Sequence, residues 1–379
     1  MFSCINPGIS KRQGESILNQ YRIFVYAISK NEEKFVDRWM DSVSEADGVI
    51  VVDTGSDDNT VQKLKGRGAV VFEEKIEPWR FDTARNIAMD HIPEDVDICV
   101  SIDIDELFES GWREKLEKLW DTECTQAKYW YFWDETLRIR FVRDKIHKRH
   151  GFKWVNPVHE ILEYSGNQKV KTVFINDLIL YHKPDSSKSR AQYLPLLEMS
   201  SKENPDDDRT RFWLGREYIY KGFYDKGIET LNNHLKLPSA VWNEERSASM
   251  RFIARAFRAK NDNNTAKGWL YKAIAECSTI REPWLDLARL GYDTKNWPLL
   301  YFAAKKGLDI KTSSNSYLVE PDAWGHLLED LAAIACYWLG FYEKALEHAK
   351  RAYEISPDNQ RLKQNLEIIK ARFDRGGTY

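Results

Sequence analysis

Over its first hundred residues the chain alternates short apolar runs with segments of helical periodicity, and that alternation restricts the fold more than anything else in it. The runs are "IFVYAI" (23–28), "VIVVD" (49–53), "AVVFE" (69–73) and "DICVSID" (97–103). Between the first two, "SKNEEKFVDRWMDSVSEADG" places Phe35, Val36, Trp39, Met40 and Val43 at helical spacing and closes on Gly48. "TGSDDNT" then opens a short helix ending at "GRG", and the loop "KIEPWRF" leads into the helix "DTARNIAMDHI". Strands that alternate with helices require right-handed crossovers and a mostly parallel sheet. Ligands of such sheets bind beyond the carboxyl ends of the strands, where Asp53, Asp103 and Asp105 fall. The aromatic and β-branched segments from "AKYWYFW" (127–133) to "VFINDLILYH" (173–182) read as an added mixed sheet.

Near residue 186 the period changes to helical and stays so. "FWLGREYIYKGFYDKGIETLNNHLKLP" (212–238) aligns with "CYWLGFYEKALEHAKRAYEISPDN" (336–359), and weaker copies span 246–283 and 284–310. Helix pairs of this length resemble tetratricopeptide repeats, which bury their apolar faces by stacking on neighbours. The expected organisation is a polar leader (1–20), an α/β domain (21–185) and an all-α repeat domain (186–379). A length of 379 residues suits two cores. The net charge of −3 gives no global field toward nucleic acid or membrane. Five scattered cysteines without CxxC spacing fit reduced thiols, not zinc. No apolar run is long enough for a membrane span, and the start lacks a signal-peptide core, so the expected location is cytoplasmic.

Chemistry concentrates at "SIDIDELF" (101–108), where a buried strand ends on Asp103, Asp105 and Glu106. Crowded carboxylates repel, and burying them without a counter-charge is costly. Mg²⁺ or Mn²⁺ would relieve the crowd, because such hard cations join one or two carboxylates to substrate phosphates. The plainer reading is a solvated turn in which one Asp caps a helix.

Four pieces in order, "AISKNEEKFVDRWMDSV", "VIVVDTGSDDNT", "FDTARNIAM" and "SIDIDELF", resemble the nucleotide-sugar half of a family 2 glycosyltransferase of the GT-A, Rossmann-like fold. A fifth, "KWVNPVHEIL" (153–162), resembles a bacterial and phage subgroup with tetratricopeptide repeats fused behind it, which includes the S-glycosyltransferase of the peptide sublancin. Lipopolysaccharide core glucosyltransferases share the front pieces.

The resemblance implies that Ile28, Ser29, Asn31 and Glu32 line the base and ribose of a UDP-sugar. Asp53 would accept a hydrogen bond from uracil or ribose, and Arg85 would sit near base or diphosphate. Asp103 would hold ribose or metal, Asp105 would ligate Mn²⁺ or Mg²⁺, and His182 would complete the metal site. Each has a structural alternative: an Asx-turn for Asp53, a surface ion pair with Asp82 or Asp90 for Arg85, and a satisfied core histidine for His182. An inverting transfer also needs a general base. Glu160 and His159, framed by Trp154 and Pro157, come first, with Asp134 and Glu135 behind them. The Glu-Asp base motif usual in the family is absent.

"RIRFVRDKIHKRHGFK" (138–153) sets Arg138, Arg140, Arg143, Lys145, Lys148, Arg149 and Lys153 against a lone Asp144. Arg140, Arg143, Lys148 and Trp154 are therefore candidates for acceptor binding, with an anionic glycan or hydroxymethylated DNA as partner alongside a peptide. The alternative is a strand decorated with solvated charges. Walker A, GxGxxG, GxSxG and HExxH motifs are all missing. The leading expectation is a metal-dependent transferase using a nucleotide-sugar donor, its repeats serving acceptor binding or a homodimer. Nucleotidyl transfer and a non-catalytic repeat scaffold are the alternatives.

Overall fold

In the computed structural model, residues 20–134, 139–184 and 192–375 are described. The leader, Glu135 and Arg138 lie outside them, as does the side chain of Asp134. The chain begins β1 (Ile23–Ser29), α1 (Val36–Ser42), β2 (Gly48–Asp53), α2 (Thr60–Gly66), β3 (Val70–Glu73), α3 (Phe81–Asp90) and β4 (Ile98–Ser101). β5 (Glu106–Phe108), α4 (Trp112–Leu119), β6 (Gln126–Asp134), β7 (Ile139–Lys148), β8 (Phe152–Val155), β9 (Ile161–Tyr164) and β10 (Thr172–His182) follow.

One eight-stranded sheet runs β3-β2-β1-β4-β7-β6-β10-β5, and β8 pairs separately with β9. β1, β2, β3 and β4 are mutually parallel, β6 and β10 are parallel, and β4–β7, β6–β7 and β5–β10 are antiparallel. β6, β7 and β10 thus extend the first sheet through the β4–β7 pairing and do not form an added mixed sheet; only β8 and β9 stand apart from it. β7 in the interior and β5 at the edge run against the other six strands, a mixture common in large sheets.

β1 shows why its sequence must be a strand buried on both faces. Ile23, Val25 and Ala27 enter a core with Trp39 of α1, Leu64 of α2 and Trp112 of α4. Phe24 and Tyr26 point the other way, toward Ala88 and Met89 of α3 and Trp154 of β8. Because β3 leads away from β1 on one side and β4 returns on the other, the strand order reverses between β1 and β4. Crevices at such reversals bind ligands in open α/β sheets.

The helical region comprises α5 (Tyr193–Glu203), α6 (Asp208–Tyr220), α7 (Tyr224–His234), α8 (Asn243–Ala259), α9 (Asn263–Glu276), α10 (Glu282–Asp293), α11 (Trp297–Asp309), α12 (Pro321–Trp324), α13 (Leu327–Trp338), α14 (Tyr342–Ile355) and α15 (Gln360–Asp374). α6/α7, α8/α9, α10/α11 and α13/α14 form short-turn pairs of the tetratricopeptide kind. Two glycines permit their close approach. A Cβ on Gly215 would meet Leu231 Cγ at 2.5 Å, and one on Gly291 would meet Leu300 backbone N at 2.8 Å. No helix among the described residues is long and apolar enough to cross a membrane.

The two regions share packing. Val158, Trp79 and Phe81 join a core built from Leu196, Leu197, Phe212 and Trp213 of α5 and α6. The segment between α11 and α12 reaches back: Asn315 O accepts from Val142 N of β7 at 3.4 Å, and Tyr317 packs against both regions' cores.

Candidate active site

The parallel strands end on a row of polar residues. Ser29 and Asp53 face each other across the β1–β2 register. Asp53, 2 % exposed, accepts from Ser29 Oγ (2.7 Å), Gly55 N (3.0 Å), Ser56 N (2.8 Å) and Ser56 Oγ (2.5 Å). Its carboxylate thus ties down its own loop, the Asx-turn alternative. Asn31 stitches the neighbouring loop, its N donating to Ser56 Oγ at 2.8 Å and its Oδ1 accepting from Asp57 N at 2.9 Å. Glu32 N donates to Thr60 Oγ1 at 2.8 Å. Ile28 packs at the edge of the β1 core. The predicted donor-binding residues 28, 29, 31, 32 and 53 therefore come together at the carboxyl ends of β1 and β2 and on the loop after β1.

Arg85 lies on the buried face of α3, its side chain 5 % exposed. Its Nη2 donates to Asp103 Oδ1 at 2.7 Å, its Nε to Glu160 Oε1 at 2.6 Å and its Nη1 to Ser101 Oγ at 3.3 Å. Lys145 Nζ holds the other oxygen of Asp103 at 3.1 Å. Burial alone would raise the Asp103 carboxyl, but Arg85 and Lys145 outweigh it and hold the group well below the usual carboxylate range. Arg85 is no surface ion pair. Glu106, buried at 2 % exposure, differs: burial pushes its carboxyl up although Lys145 opposes the shift, while its Oε2 accepts from Asp103 N at 2.9 Å. Two protein cations thus make the carboxylate crowd tolerable. Ligation of a metal by Asp103 would require one of its ion pairs to open.

Asp105 is placed differently. Its Oδ2 faces His182 Nε2 at 3.5 Å, the side chains being 27 % and 11 % exposed. The pair is set by backbone: Lys183 N donates to Asp105 O at 2.7 Å, and β5 pairs with β10 at Glu106–His182. The His182 ring lies on Tyr131, centroids 5.6 Å apart, and Arg143 covers the Tyr131 ring at 4.9 Å. One carboxylate oxygen and one imidazole nitrogen at this separation fit two protein ligands of a divalent ion whose other places go to phosphate and water.

Behind Arg85 stands a buried polar chain. The guanidinium lies over Trp154 at 5.1 Å, Trp154 Nε1 donates to the Tyr26 hydroxyl at 2.8 Å, and that hydroxyl meets His147 Nε2 at 2.8 Å. His147 Nδ1 faces the Lys148 carbonyl at 2.7 Å, so Nδ1 carries the hydrogen and Nε2 accepts from Tyr26. Burial pushes the His147 pKa down to about 4, which keeps the ring neutral. Asn86 locks the same strand by exchanging hydrogen bonds with Trp154 N (2.9 Å) and O (2.8 Å). Trp154 is 1 % exposed. It therefore cannot touch an acceptor and instead supports Arg85.

The basic stretch does not form one patch, because separate partners take up its charges. Lys145 goes to Asp103, Arg149 to Ile92 O (3.0 Å) and Lys148 to Thr122 O (2.8 Å), while Arg140 stacks on Trp130 (3.9 Å). Lys148 pairs with Ile98, the start of β4, and so lies at the sheet edge remote from Asp103. Asp134 closes β6 opposite Ile139.

His159 and Glu160 face different surroundings. The His159 backbone is left-handed (φ 52°) and its ring stacks on Trp213 of α6, centroids 4.0 Å apart. Tyr317 also stacks on Trp213 at 5.4 Å, and the Arg216 guanidinium covers it at 3.9 Å. Glu160 points to Arg85 and is 11 % exposed. Lys145 and Trp213 carry roles that sequence reasoning did not assign. Lys145 was one lysine among many, and Trp213 sits in a repeat far along the chain.

The domain is thus α/β, its mostly parallel sheet having a switch-point crevice beside an Arg-held Asp and an Asp–His pair. Residues 25–183 match the family model described as Glycosyl transferase family 2, so the chain carries a family 2 glycosyltransferase domain there. Solved structures similar to the chain include MamA (17 % identity, TM-score 0.36, covering 44 % of this chain and 89 % of that one). PilF of Pseudomonas aeruginosa is another (10 %, 0.37, 47 % and 72 %). A thermophilic TPR protein of Thermus thermophilus is a third (17 %, 0.33, 47 % and 89 %). No curated protein matches the chain.

Proposed function

We propose that the chain is a metal-dependent, inverting glycosyltransferase that takes a sugar from a UDP-sugar. In this reading residues 21–185 form the transferase unit and 186–379 the repeat unit. The observation that carries it is the Asp105–His182 pair beside the Arg85–Asp103–Lys145 cluster, at the reversal of strand order. Asp105 and His182 would hold Mn²⁺ or Mg²⁺, which when bound neutralises charge on the departing diphosphate.

The protein's own groups do the rest. The loops at 28–32 and 53–56 cradle the nucleoside, and Arg85 keeps Asp103 ionised as an acceptor for a ribose hydroxyl. Glu160 has one oxygen on Arg85 and no further partner for the other among the described residues. That oxygen receives the proton of the acceptor's hydroxyl or thiol as the nucleophile attacks the anomeric carbon. The bond from that carbon to the diphosphate oxygen breaks, and UDP leaves with the electron pair. His159 positions Glu160 through its stack on Trp213.

Peptide, glycan and hydroxymethylated DNA fit as acceptors. The dispersal of the basic stretch removes the main reason to favour a polyanion. Incubation with UDP-sugars and Mn²⁺ tests the proposal: slow UDP release that is lost in Asp105→Ala supports it, and inertness toward every sugar nucleotide refutes it.

A further inference from the structure

Away from the sheet edge, three metal-capable side chains converge where the first two helix pairs meet. They are Asp208 in the first turn of α6, His234 at the end of α7 and Glu245 in the first turn of α8. Their ligand atoms all lie within 4.8 Å of one another, and no other group of three does so among the described residues. His234 is fully buried and Glu245 is 4 % exposed. No lysine or arginine among the described residues forms an ion pair with either carboxylate; Glu245 faces His234, which is cationic only when protonated. Two carboxylates converging on a buried imidazole need a compensating positive charge.

The groups around the cluster are arranged as the outer shell of a metal site. Ser249 Oγ meets His234 Nδ1 at 2.9 Å, which leaves Nε2 aimed at the carboxylates. The Tyr317 hydroxyl donates to Glu245 Oε2 at 2.8 Å, which leaves Oε1 for the cluster. Metal-bound histidines and carboxylates are held in this way by hydrogen bonds on their far atoms.

The separation of His234 Nε2 and Glu245 Oε1 is 3.3 Å. A direct charge-assisted N–H···O⁻ bond runs about 2.7–2.9 Å. Two ligands about 2.0–2.1 Å from a shared tetrahedral ion stand roughly 3.3–3.4 Å apart. The observed spacing lies at the long limit of a hydrogen bond and matches that of co-ligands.

We propose that Asp208, His234 and Glu245 bind a divalent transition-metal ion of the zinc type, for which one imidazole and two carboxylates are a suitable set. The ion would pin α6, α7 and α8 together. Through Tyr317 it would also fix the segment that bridges to β7. This inference does not depend on the transferase reading.

The test uses the full chain carrying Asp105→Ala, so that the sheet-edge pair is disabled. Titration with Zn²⁺ alone, followed by calorimetry, should show one equivalent bound, and Co²⁺ should give the visible absorption of a tetrahedral site. Adding His234→Ala should abolish both signals. Asp208→Asn, at a partly exposed position, should fold and weaken binding at least tenfold, so it decides the matter where His234→Ala does not fold. Absence of zinc binding in the Asp105→Ala chain overturns the proposal. So does Asp208→Asn affinity equal to that of the Asp105→Ala parent.

Discussion

Arg85 on α3 and Asp103 just beyond β4, 18 residues apart, meet through Nη2 and Oδ1 at 2.7 Å, while the same guanidinium grips Glu160 through Nε. One buried cation thus organises both the strand-end aspartate and the proposed base. A planar fork can hold two carboxylates at fixed angles, whereas an ammonium cannot.

Arg85→Ala therefore leaves Glu160, Asp103 and Trp154 without their shared partner, and it should cost about 3–5 kcal/mol in urea unfolding at pH 7. Arg85→Lys should recover part of that stability and none of the transfer rate. Full activity in Arg85→Lys would show that the bridge to Glu160 is dispensable.

Acid sensitivity follows from His147. Its folded pKa of about 4 lies below the unfolded value of about 6.5, so the unfolded chain binds the extra proton between these limits. Stability is thus whole above pH 6.5 and falls as pH drops toward 4, by about 2 kcal/mol between pH 7 and 5. Urea midpoints across this range should show that loss in the natural protein and a flatter profile in His147→Gln. Asp103 acts in a different window. Its depressed folded pKa stabilises the fold above about pH 4 and is lost only below that.

Trp213 lies in the repeat region yet carries His159 on its face at 4.0 Å. Trp213→Ala should destabilise by about 3–5 kcal/mol, as large-to-small changes of buried aromatics do. It should also lower kcat more than it raises the KM for the sugar nucleotide. Trp213→Phe should restore much of kcat. An unchanged kcat in a folded Trp213→Ala protein would leave the stack with a purely structural role.

Helix-pair glycines allow a prediction of opposite signs. Gly291→Ala pushes a methyl onto Leu300 backbone at 2.8 Å and should cost about 1–3 kcal/mol. Gly268→Ala in α9 meets nothing within 4 Å and should stabilise by about 0.5–1 kcal/mol. Thermal melts of the two variants give the comparison.

How much of this was legible in the chain depends on range. β1 could be read because each of its residues is buried on one face or the other, so an unbroken apolar run marks the strand. The helix pairs could be read from Leu214-Gly215 and its copies, since close packing repeats locally. Asp103 and Asp105 were visible as a crowd, but their different fates were not. Lys145 reaches Asp103 only because β7 pairs antiparallel with β4 in one register, opposing Ile98 to Lys148. Nothing in "RIRFVRDKIHKRH" marks which cation is taken. Trp154 looked like an acceptor platform because a lone tryptophan before Pro157 gives no sign of its burial against Tyr26.

The central claim is that the carboxyl edge of β4 binds a sugar nucleotide together with a divalent ion held by Asp105 and His182. Calorimetric titration of UDP into the protein, with Mn²⁺ and then with excess chelator, tests it most directly. The account predicts binding that needs Mn²⁺ in the natural protein and is lost in Asp105→Ala. Equal UDP affinity with and without metal, in both proteins, would contradict it.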